Sequence, residues 1–308
     1  MLGIKNIGVA LGDTVVDNVS RAALFGKTES FVTDKIGFST VVRADGCETS
    51  DLCCKAYADL CAKASVDIET IDCIVVCTQN PDGAGLPHTS ALLHAKLNAP
   101  ETVAAFDISL GCSGYVYGLS VVLGLMEHAG FSKGLLFTAD PYSKVLDSDD
   151  AVTEMLFGDG ATCTFISNDP VYAVGKTAFG TNGALGGALV VDPLTKKLHM
   201  DGRSIFNFTM RVVPDQISKC LELNNVTSES VDLFLLHQAS RYIIENMAKR
   251  LGVPVEKVPF KLHHTGNLVS STLPFMLSDY IESGPEKILL SGFGVGLSWA
   301  STVLNRAI

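Results

Sequence analysis

The chain has 308 residues, of which 47% are apolar and 18% charged, so it can bury a large core in one domain or in two joined halves. A formal net charge of -10 with no basic run to offset it excludes general binding to nucleic acid or to an anionic membrane. No signal peptide is predicted at the N-terminus, and the longest apolar run, 115–126, is too short to cross a bilayer, so a cytoplasmic protein is expected.

The cysteines also favour a reducing compartment. There are nine, an odd number, and none forms a CxxC pair, so neither a disulfide framework nor a zinc site is predicted. Cys73 and Cys77 lie in an apolar, strand-like run, and Cys53 and Cys54 lie in an alanine-rich helical stretch. Most of the cysteines are therefore interpreted as small, inert, buried side chains.

Short β-branched or leucine-rich runs alternate with alanine-rich stretches along the chain, which is typical of the α/β fold class. Helices are predicted at 49–64, after Cys112, at 214–223 and at 239–252. Strands are predicted at 71–79, 103–109, 134–140, 161–167, 231–238, 287–294 and 300–305.

Two pairs of segments are similar in character. Segment 66–80 matches 227–240, because each has an acidic stretch followed by Asp and an apolar run. Segment 132–140 resembles 286–294, since each has a lysine followed by an apolar run, and the two pairs have nearly equal separations along the chain. The two matches predict that the chain consists of two similar halves, although chance similarity between buried strands is the alternative.

The predicted boundary divides the chain into an N-terminal half, 1–168, and a C-terminal half, 169–308. The first half carries Cys112, and the second carries His237 and Asn267. If the halves are related, these three side chains lie at equivalent junctions between a strand and a helix, and we expect them to converge.

Cys112 lies between Gly111 and Gly114 where a predicted strand gives way to a helix. A thiol at the start of a helix is exposed to the positive end of the helix dipole, which favours the thiolate and lowers its pKa. The free backbone N–H groups at such a position also suit an oxyanion. The alternative is one more buried cysteine in a chain rich in them.

His237 ends a predicted buried strand, and Asn267 lies in a turn directly after Gly266. Each has an ordinary structural alternative, a hydrogen-bonded core histidine and a turn asparagine. A Cys-His-Asn hydrolase of the papain type is disfavoured because the local sequence around its nucleophile is missing. The run at 292–298, GFGVGLS, is not followed by a helix that would bind a dinucleotide.

A metal site is not expected. His263 and His264 are adjacent, but no carboxylate or cysteine accompanies them at the spacing of metal ligands.

Five motifs together resemble the ketoacyl synthase III group of condensing enzymes. They are DISLGCSGYVYGL, FGDGAT, LLHQAS, HTGNLVSSTLP and GFGVGLSWAS, starting at residues 107, 157, 235, 264 and 292. The resemblance extends over nearly the whole chain and implies a thiolase-like, duplicated αβαβα five-layer fold. It also implies a homodimer.

The resemblance implies that Cys112 accepts an acyl group from a thioester of coenzyme A or of an acyl carrier protein. His237 and Asn267 then hold the carbonyl of a malonyl thioester and stabilise the enolate that forms when carbon dioxide leaves. The backbone N–H groups of Cys112 and Val295 form the oxyanion hole. No metal or other cofactor is implied, since the thioesters are substrates.

Several positions depart from the members that initiate fatty-acid synthesis. Those members often have Asn and Arg where this chain has Ser240 and Tyr242, so Arg241 is displaced by one position. Their entrance tryptophan corresponds to Phe31, and an arginine associated with the adenine of coenzyme A corresponds to Ala151. The nucleotide clamp is thus in question, and a specialised pathway is as compatible with the sequence as the housekeeping one.

The predicted tunnel and entrance residues are Phe31, Lys35, Leu86, Ala151 and Arg241. Leu86 corresponds to a residue that closes the acyl pocket from the partner subunit, and its modest size would permit more than an acetyl group. Around Arg241, the predicted helix also carries Lys249 and Arg250, which makes it the best candidate for contact with an acidic partner, although an ordinary solvated helix face is the favoured alternative.

Three alternatives to decarboxylative condensation remain at this stage. The acyl group on Cys112 would instead pass to an amine or hydroxyl without loss of carbon dioxide. A non-catalytic partner subunit is a second alternative, although such partners generally lose the nucleophile. A redox-sensing Cys112 is the third, but no resolving cysteine is evident.

Overall fold

The computed structural model describes residues 1–307. Its strands are β1 (Gly3–Leu11), β2 (Thr14–Asp17), β3 (Thr40–Arg43), β4 (Cys73–Cys77), β5 (Ala104–Ile108), β6 (Lys133–Ala139), β7 (Gly160–Ser167), β8 (Tyr172–Val174), β9 (Ala178–Thr181), β10 (Leu189–Val191), β11 (Leu198–Met200), β12 (Leu233–Leu236), β13 (Lys287–Gly294) and β14 (Ser298–Arg306). Its α-helices are α1 (Asn18–Arg21), α2 (Thr49–Lys63), α3 (Thr89–Lys96), α4 (Gly114–Ala129), α5 (Ala151–Leu156), α6 (Gly202–Leu223), α7 (Arg241–Leu251) and α8 (Thr272–Ser278).

A mixed sheet of ten strands organises the molecule, in the order β12-β13-β14-β8-β1-β7-β6-β4-β5, with β9 also paired to β14. At the centre, β8 and β1 pair through only two residue pairs. On either side of this junction the order is mirrored, since β14 and β7 each pair antiparallel with their neighbours, and β12 and β4 each pair parallel with the next strand.

Helices cover the sheet in layers. Helices α4 and α8 lie in the middle, and each contacts strands from both sides of the β8–β1 junction. Helices α2 and α3 pack on the outer face of one side, and α6 and α7 on the outer face of the other. The strands β4, β6 and β12 are consequently covered on both faces, which explains why they are continuous apolar runs rather than alternating ones. The predicted α/β class and its layering are confirmed.

The N-terminal strand β1 and the start of α6 differ from the sequence-based predictions. Strand β1 was not predicted, and α6 begins at Gly202 instead of Pro214. The carboxylate of Asp201 accepts hydrogen bonds from two N–H groups of the first turn, which sets the earlier start. Pro214 therefore lies inside the helix, where the apolar face around it is buried against the sheet.

The predicted boundary between residues 168 and 169 falls between β7 and β8. The mirrored strand order supports the proposal that each side is one repeat. Within residues 1–307, no helix combines the length and the apolarity needed to cross a membrane.

Candidate active site

A cavity of about 480 Å³ brings together the side chains of Cys112, His237 and Asn267. It reaches the surface beside Lys35 and Gly202, both of which are exposed. Its walls are otherwise largely apolar and include Ile36, Val152, Leu156, Leu189, Met200 and Ile205. The arrangement suits a slender acyl or pantetheine chain whose reactive end lies next to a few polar groups.

Cys112 lies two residues before α4, and only 3% of it is exposed. Burial raises the pKa of its thiol to about 12, although hydrogen bonds from the N–H groups of Val295 and of Cys112 itself oppose this. The expectation of a lowered pKa is therefore wrong, because desolvation outweighs the favourable N–H groups at the helix start. The same two N–H groups are those predicted to hold an oxyanion.

The turn after β13 shapes the space around the sulfur. Gly294 has a φ of 155°, and a methyl group on its Cα would lie 2.6 Å from the sulfur of Cys112. Gly292 is similarly close to the carbonyl of Cys112. The GFGVG run, which lacks the following helix of a dinucleotide site, therefore packs directly against Cys112.

Replacing Gly294 with Ala is expected to slow acylation of Cys112 by about 100-fold, because the new methyl group displaces the sulfur from its position. Stopped-flow or quench-flow acylation with an acyl thioester measures this. Gly130→Ala is the matched control, since Gly130 also has a positive φ, 71°, but no atoms within 4 Å of the added methyl. Equal acylation rates in the two variants would contradict the steric explanation.

His237 lies one residue beyond β12, where its backbone N–H donates to the carbonyl of Ser291 on the neighbouring strand at 2.9 Å. It is 1% exposed, and its ring packs edge-on against Phe293 with a centroid separation of 5.7 Å. Burial lowers the pKa of this imidazole to about 3, so the ring is neutral at physiological pH. Its Nδ1 is buried without a hydrogen-bond partner among residues 1–307.

Asn267 is held by bonds to both its backbone and its side chain. Its N–H donates to the carbonyl of Leu156 at 2.8 Å, and its carbonyl accepts from Gly158 at 2.9 Å. The side-chain Oδ1 accepts from the N–H of Val269 at 2.9 Å and from the hydroxyl of Thr272 at 3.3 Å. Because Oδ1 is occupied, the amide NH₂ remains as the group that can donate into the cavity.

The predicted entrance residues divide into two groups. Phe31 and Lys35, on a π-helical turn, line the cavity. Ala151 begins α5 next to the lining residue Val152 but does not line the cavity itself. Arg241 does not line the cavity, and its guanidinium lies 3.1 Å from Nδ1 of His263.

Leu86 lies outside this cavity, in a loop where it is 92% exposed. Its assignment as a residue that closes a partner's acyl pocket stays a prediction.

A second groove, of about 530 Å³, lies between α6 and α7 close to the cavity mouth. Arg211, Lys249 and Arg250 line it, and none of them forms an ion pair within residues 1–307. Tyr242 lies between the groove and the cavity mouth. Its ring stacks on Phe206 of the groove, and the ammonium of Lys35 at the mouth lies 4.4 Å from the centre of the same ring. The groove is a local basic surface on an acidic chain.

Sequence analysis missed Phe157, Phe293 and Gly294, which all line the cavity. The signal was present in the FGDG and GFGVG motifs, where an aromatic residue precedes glycine. In the part of the chain that the structure describes, no group of three His, Cys, Asp or Glu side chains is placed to hold a metal ion.

Two family models match the chain. The model described as 3-oxoacyl-[acyl-carrier-protein] synthase III matches residues 106–183, and the model of the C-terminal part of the same synthase matches residues 221–306. A β-ketoacyl-[acyl-carrier-protein] synthase III of Lactococcus lactis is 32% identical over 323 aligned residues, which cover 98% of each chain.

Solved structures agree with this match. The 3-oxoacyl-[acyl-carrier-protein] synthase III from Aquifex aeolicus superposes with a TM-score of 0.93 at 27% identity, covering 99% of this chain and 100% of that one. The priming β-ketosynthase of the R1128 polyketide pathway superposes with a TM-score of 0.88 at 26% identity, covering 99% and 96%. The thiolase-like fold predicted from the motifs is therefore confirmed.

Proposed function

Because this chain belongs to the 3-oxoacyl-[acyl-carrier-protein] synthase III family of condensing acyltransferases, we propose that Cys112 carries the acyl group while His237 and Asn267 activate a malonyl thioester. The observation that supports these roles most strongly is that the three side chains line one narrow, apolar cavity. The chemistry of each group supports the same roles.

In the first half-reaction, the sulfur of Cys112 attacks the carbonyl carbon of the acyl thioester. The N–H groups of Cys112 and Val295 stabilise the oxyanion of the tetrahedral intermediate. The C–S bond to the donor then breaks, and the donor leaves as a thiol that takes up the proton of Cys112. Because the thiolate is the attacking form, the raised pKa of Cys112 opposes this step, and the N–H groups of Val295 and Cys112 lower that pKa and so favour it.

In the second half-reaction, the N–H of the neutral imidazole of His237 and the amide NH₂ of Asn267 donate to the thioester carbonyl of the malonyl group. The bond to the carboxylate breaks, carbon dioxide leaves, and the electron pair forms an enolate whose oxygen these two donors hold. The enolate carbon attacks the acyl carbonyl on Cys112. The C–S bond breaks, which releases a 3-oxoacyl thioester and the thiolate of Cys112, and this thiolate takes up a proton from the solvent.

The experiment that tests this function supplies a panel of acyl thioesters together with malonyl thioester and measures carbon dioxide and product by mass spectrometry. Equal amounts of carbon dioxide and 3-oxoacyl thioester are expected. Acyl transfer to an amine or hydroxyl without carbon dioxide would support the alternative reaction. A folded protein that accepts no acyl group would support a non-catalytic partner subunit.

We further propose that the groove between α6 and α7 docks an acidic acyl carrier protein. Its three cations surround the apolar side chains of Phe206 and Met210, which is the pattern that fits an acidic, amphipathic surface. The adjoining cavity would then receive the pantetheine arm. Phe31 and Ala151 stand where the members that initiate fatty-acid synthesis have Trp and Arg. These two differences support an acyl donor or a pathway other than the housekeeping one.

Lys249→Glu combined with Arg250→Glu is expected to raise the KM for malonyl carrier protein about tenfold, with little change for malonyl coenzyme A. The effect should weaken as ionic strength rises, because the contact is exposed. Lys176→Glu combined with Lys219→Glu changes the net charge equally outside the groove and serves as the control. An equal loss in both double variants would show that net charge, not the groove, is responsible.

A homodimer through β5 is the proposed assembly. Strand β5 ends the sheet, and all five of its residues are only partly buried, so its free edge is open to pairing with a second copy. Sedimentation velocity tests this, and a monomer at micromolar concentration would contradict it.

A further inference from the structure

Asp140, directly after β6, is a completely buried carboxylate that the mechanism above does not use. Its Oδ2 accepts a hydrogen bond from the hydroxyl of Ser270 at 2.5 Å, and its Oδ1 accepts from the N–H of Gln79 at 2.7 Å. The hydroxyl of Thr78 approaches at 3.4 Å. No Lys, Arg or His forms an ion pair with it in residues 1–307. An unpaired buried carboxylate is unfavourable, so its presence calls for a specific role.

The bond to Ser270 anchors the loop that carries Asn267. Val269 in that loop has a φ of 53°, a left-handed conformation that is strained for a β-branched residue. The N–H of the same Val269 fixes Oδ1 of Asn267. Such a conformation persists only where neighbouring contacts hold it, and the Asp140–Ser270 bond acts on the next residue along the chain.

The bond to Gln79 connects Asp140 to the other side of the site. The side chain of Gln79 packs on Gly111, because a methyl group on Gly111 would lie 2.6 Å from its Oε1. Gly111 directly precedes Cys112. The carboxylate of Asp140 therefore connects the segment that packs next to Cys112 with the loop that carries Asn267.

The charge of Asp140 also acts on the nucleophile. Burial raises the pKa of Asp140 to about 6 despite its hydrogen bonds, so the group is mostly ionised at pH 8. Burial is the largest cause of the raised pKa of the Cys112 thiol, and the ionised carboxylate of Asp140 raises that pKa further. The other titratable groups that it influences are Tyr142, Cys77 and Cys53, all of them buried and neutral.

We propose that Asp140 is a positioning residue that holds the Asn267 loop in place for decarboxylation, and that its negative charge, linked to Cys112 through Gln79 and Gly111, slows attack by the free thiol. The first part rests on the function proposed above for Asn267. The second part does not, because it concerns only the free thiol.

Asp140→Asn and Ser270→Ala separate the two effects. Both variants weaken the link to the Asn267 loop, so malonyl decarboxylation should fall about 10- to 100-fold in each, while acylation of Cys112 by a thioester is retained. Only Asp140→Asn removes the charge. Alkylation of Cys112 by iodoacetamide at pH 8 should therefore be about tenfold faster in Asp140→Asn and unchanged in Ser270→Ala. This difference should vanish at pH 5, where Asp140 of the wild type is itself protonated.

Asp107→Asn is the matched control, since Asp107 lies on strand β5 and its carboxylate accepts hydrogen bonds from the backbone N–H groups of Thr89 and Ser90 at 2.7 and 2.8 Å. Thermal melting of each variant checks that it is folded. Wild-type decarboxylation in both Asp140→Asn and Ser270→Ala would overturn the positioning role, and equal alkylation at pH 8 would overturn the electrostatic role. A wild type that neither accepts acyl groups nor decarboxylates would instead refute the proposed function, and the alkylation comparison would still stand.

Discussion

Replacing Cys112 with Ala is expected to reduce condensation by about 10⁴-fold or more while malonyl decarboxylation continues within about tenfold of the wild-type rate. The variant lacks the sulfur that holds the acyl group, so no acceptor for the enolate exists. His237 and Asn267 are fixed by contacts with other residues, and their donors to the malonyl carbonyl should survive the substitution. Carbon dioxide should then form without a 3-oxoacyl product.

The measurement compares carbon dioxide and 3-oxoacyl thioester from the wild type and the variant. Cys77→Ala is the control, because Cys77 is equally buried near the start of α4 but does not line the cavity. If Cys112→Ala still condenses at more than a few per cent of the wild-type rate, another residue carries the acyl group. If it also loses decarboxylation, the two half-reactions are not separate in the way proposed.

Replacing His237 with Ala is expected to have the opposite effect, with decarboxylation about 10²- to 10³-fold slower and acylation of Cys112 retained. The variant loses one of two donors to the developing enolate oxygen in a site from which water is largely excluded. Asn267→Ala should have an effect of the same kind. His263→Ala, which alters a partly buried histidine outside the cavity, should leave both half-reactions intact.

The protonation state of His237 gives an independent check. Burial lowers its pKa to about 3, so the neutral form, which is favoured above that value, is complete at pH 5 and stays so as pH rises. The NMR signals of the His237 ring should therefore not shift between pH 5 and 8. A titration near pH 6.5 would contradict this, because the ring would then be partly cationic within the physiological pH range.

The convergence of Cys112, His237 and Asn267 was predictable from the sequence, because all three follow or precede recognisable strands and helices. Strand ends in a layered α/β fold meet at one edge of the sheet. The five motifs also follow one another along the chain in the order of the family. The strands at 133–139, 233–236 and 287–294 were predictable for the same reason, since each is a continuous apolar run bounded by polar residues.

The pKa of Cys112 and the start of α6 were not predictable in the same way. The local sequence indicates the helix dipole at Cys112 but not the apolar walls that desolvate its thiol, which come from distant segments such as 189–205. Pro214 suggested a helix start, yet Asp201 and the buried face before the proline decide where α6 begins. Both features depend on tertiary packing.

The measurement that tests the central claim most directly is the intact mass of the protein after incubation with acyl-coenzyme A and acyl-carrier-protein donors. A mass increase equal to one acyl group, present in the wild type and absent in Cys112→Ala, is the predicted result, and peptide mapping should place it on Cys112. If the folded wild type gains no mass from any donor, or if Cys112→Ala gains the same mass, Cys112 is not the acyl carrier and the proposed mechanism is wrong.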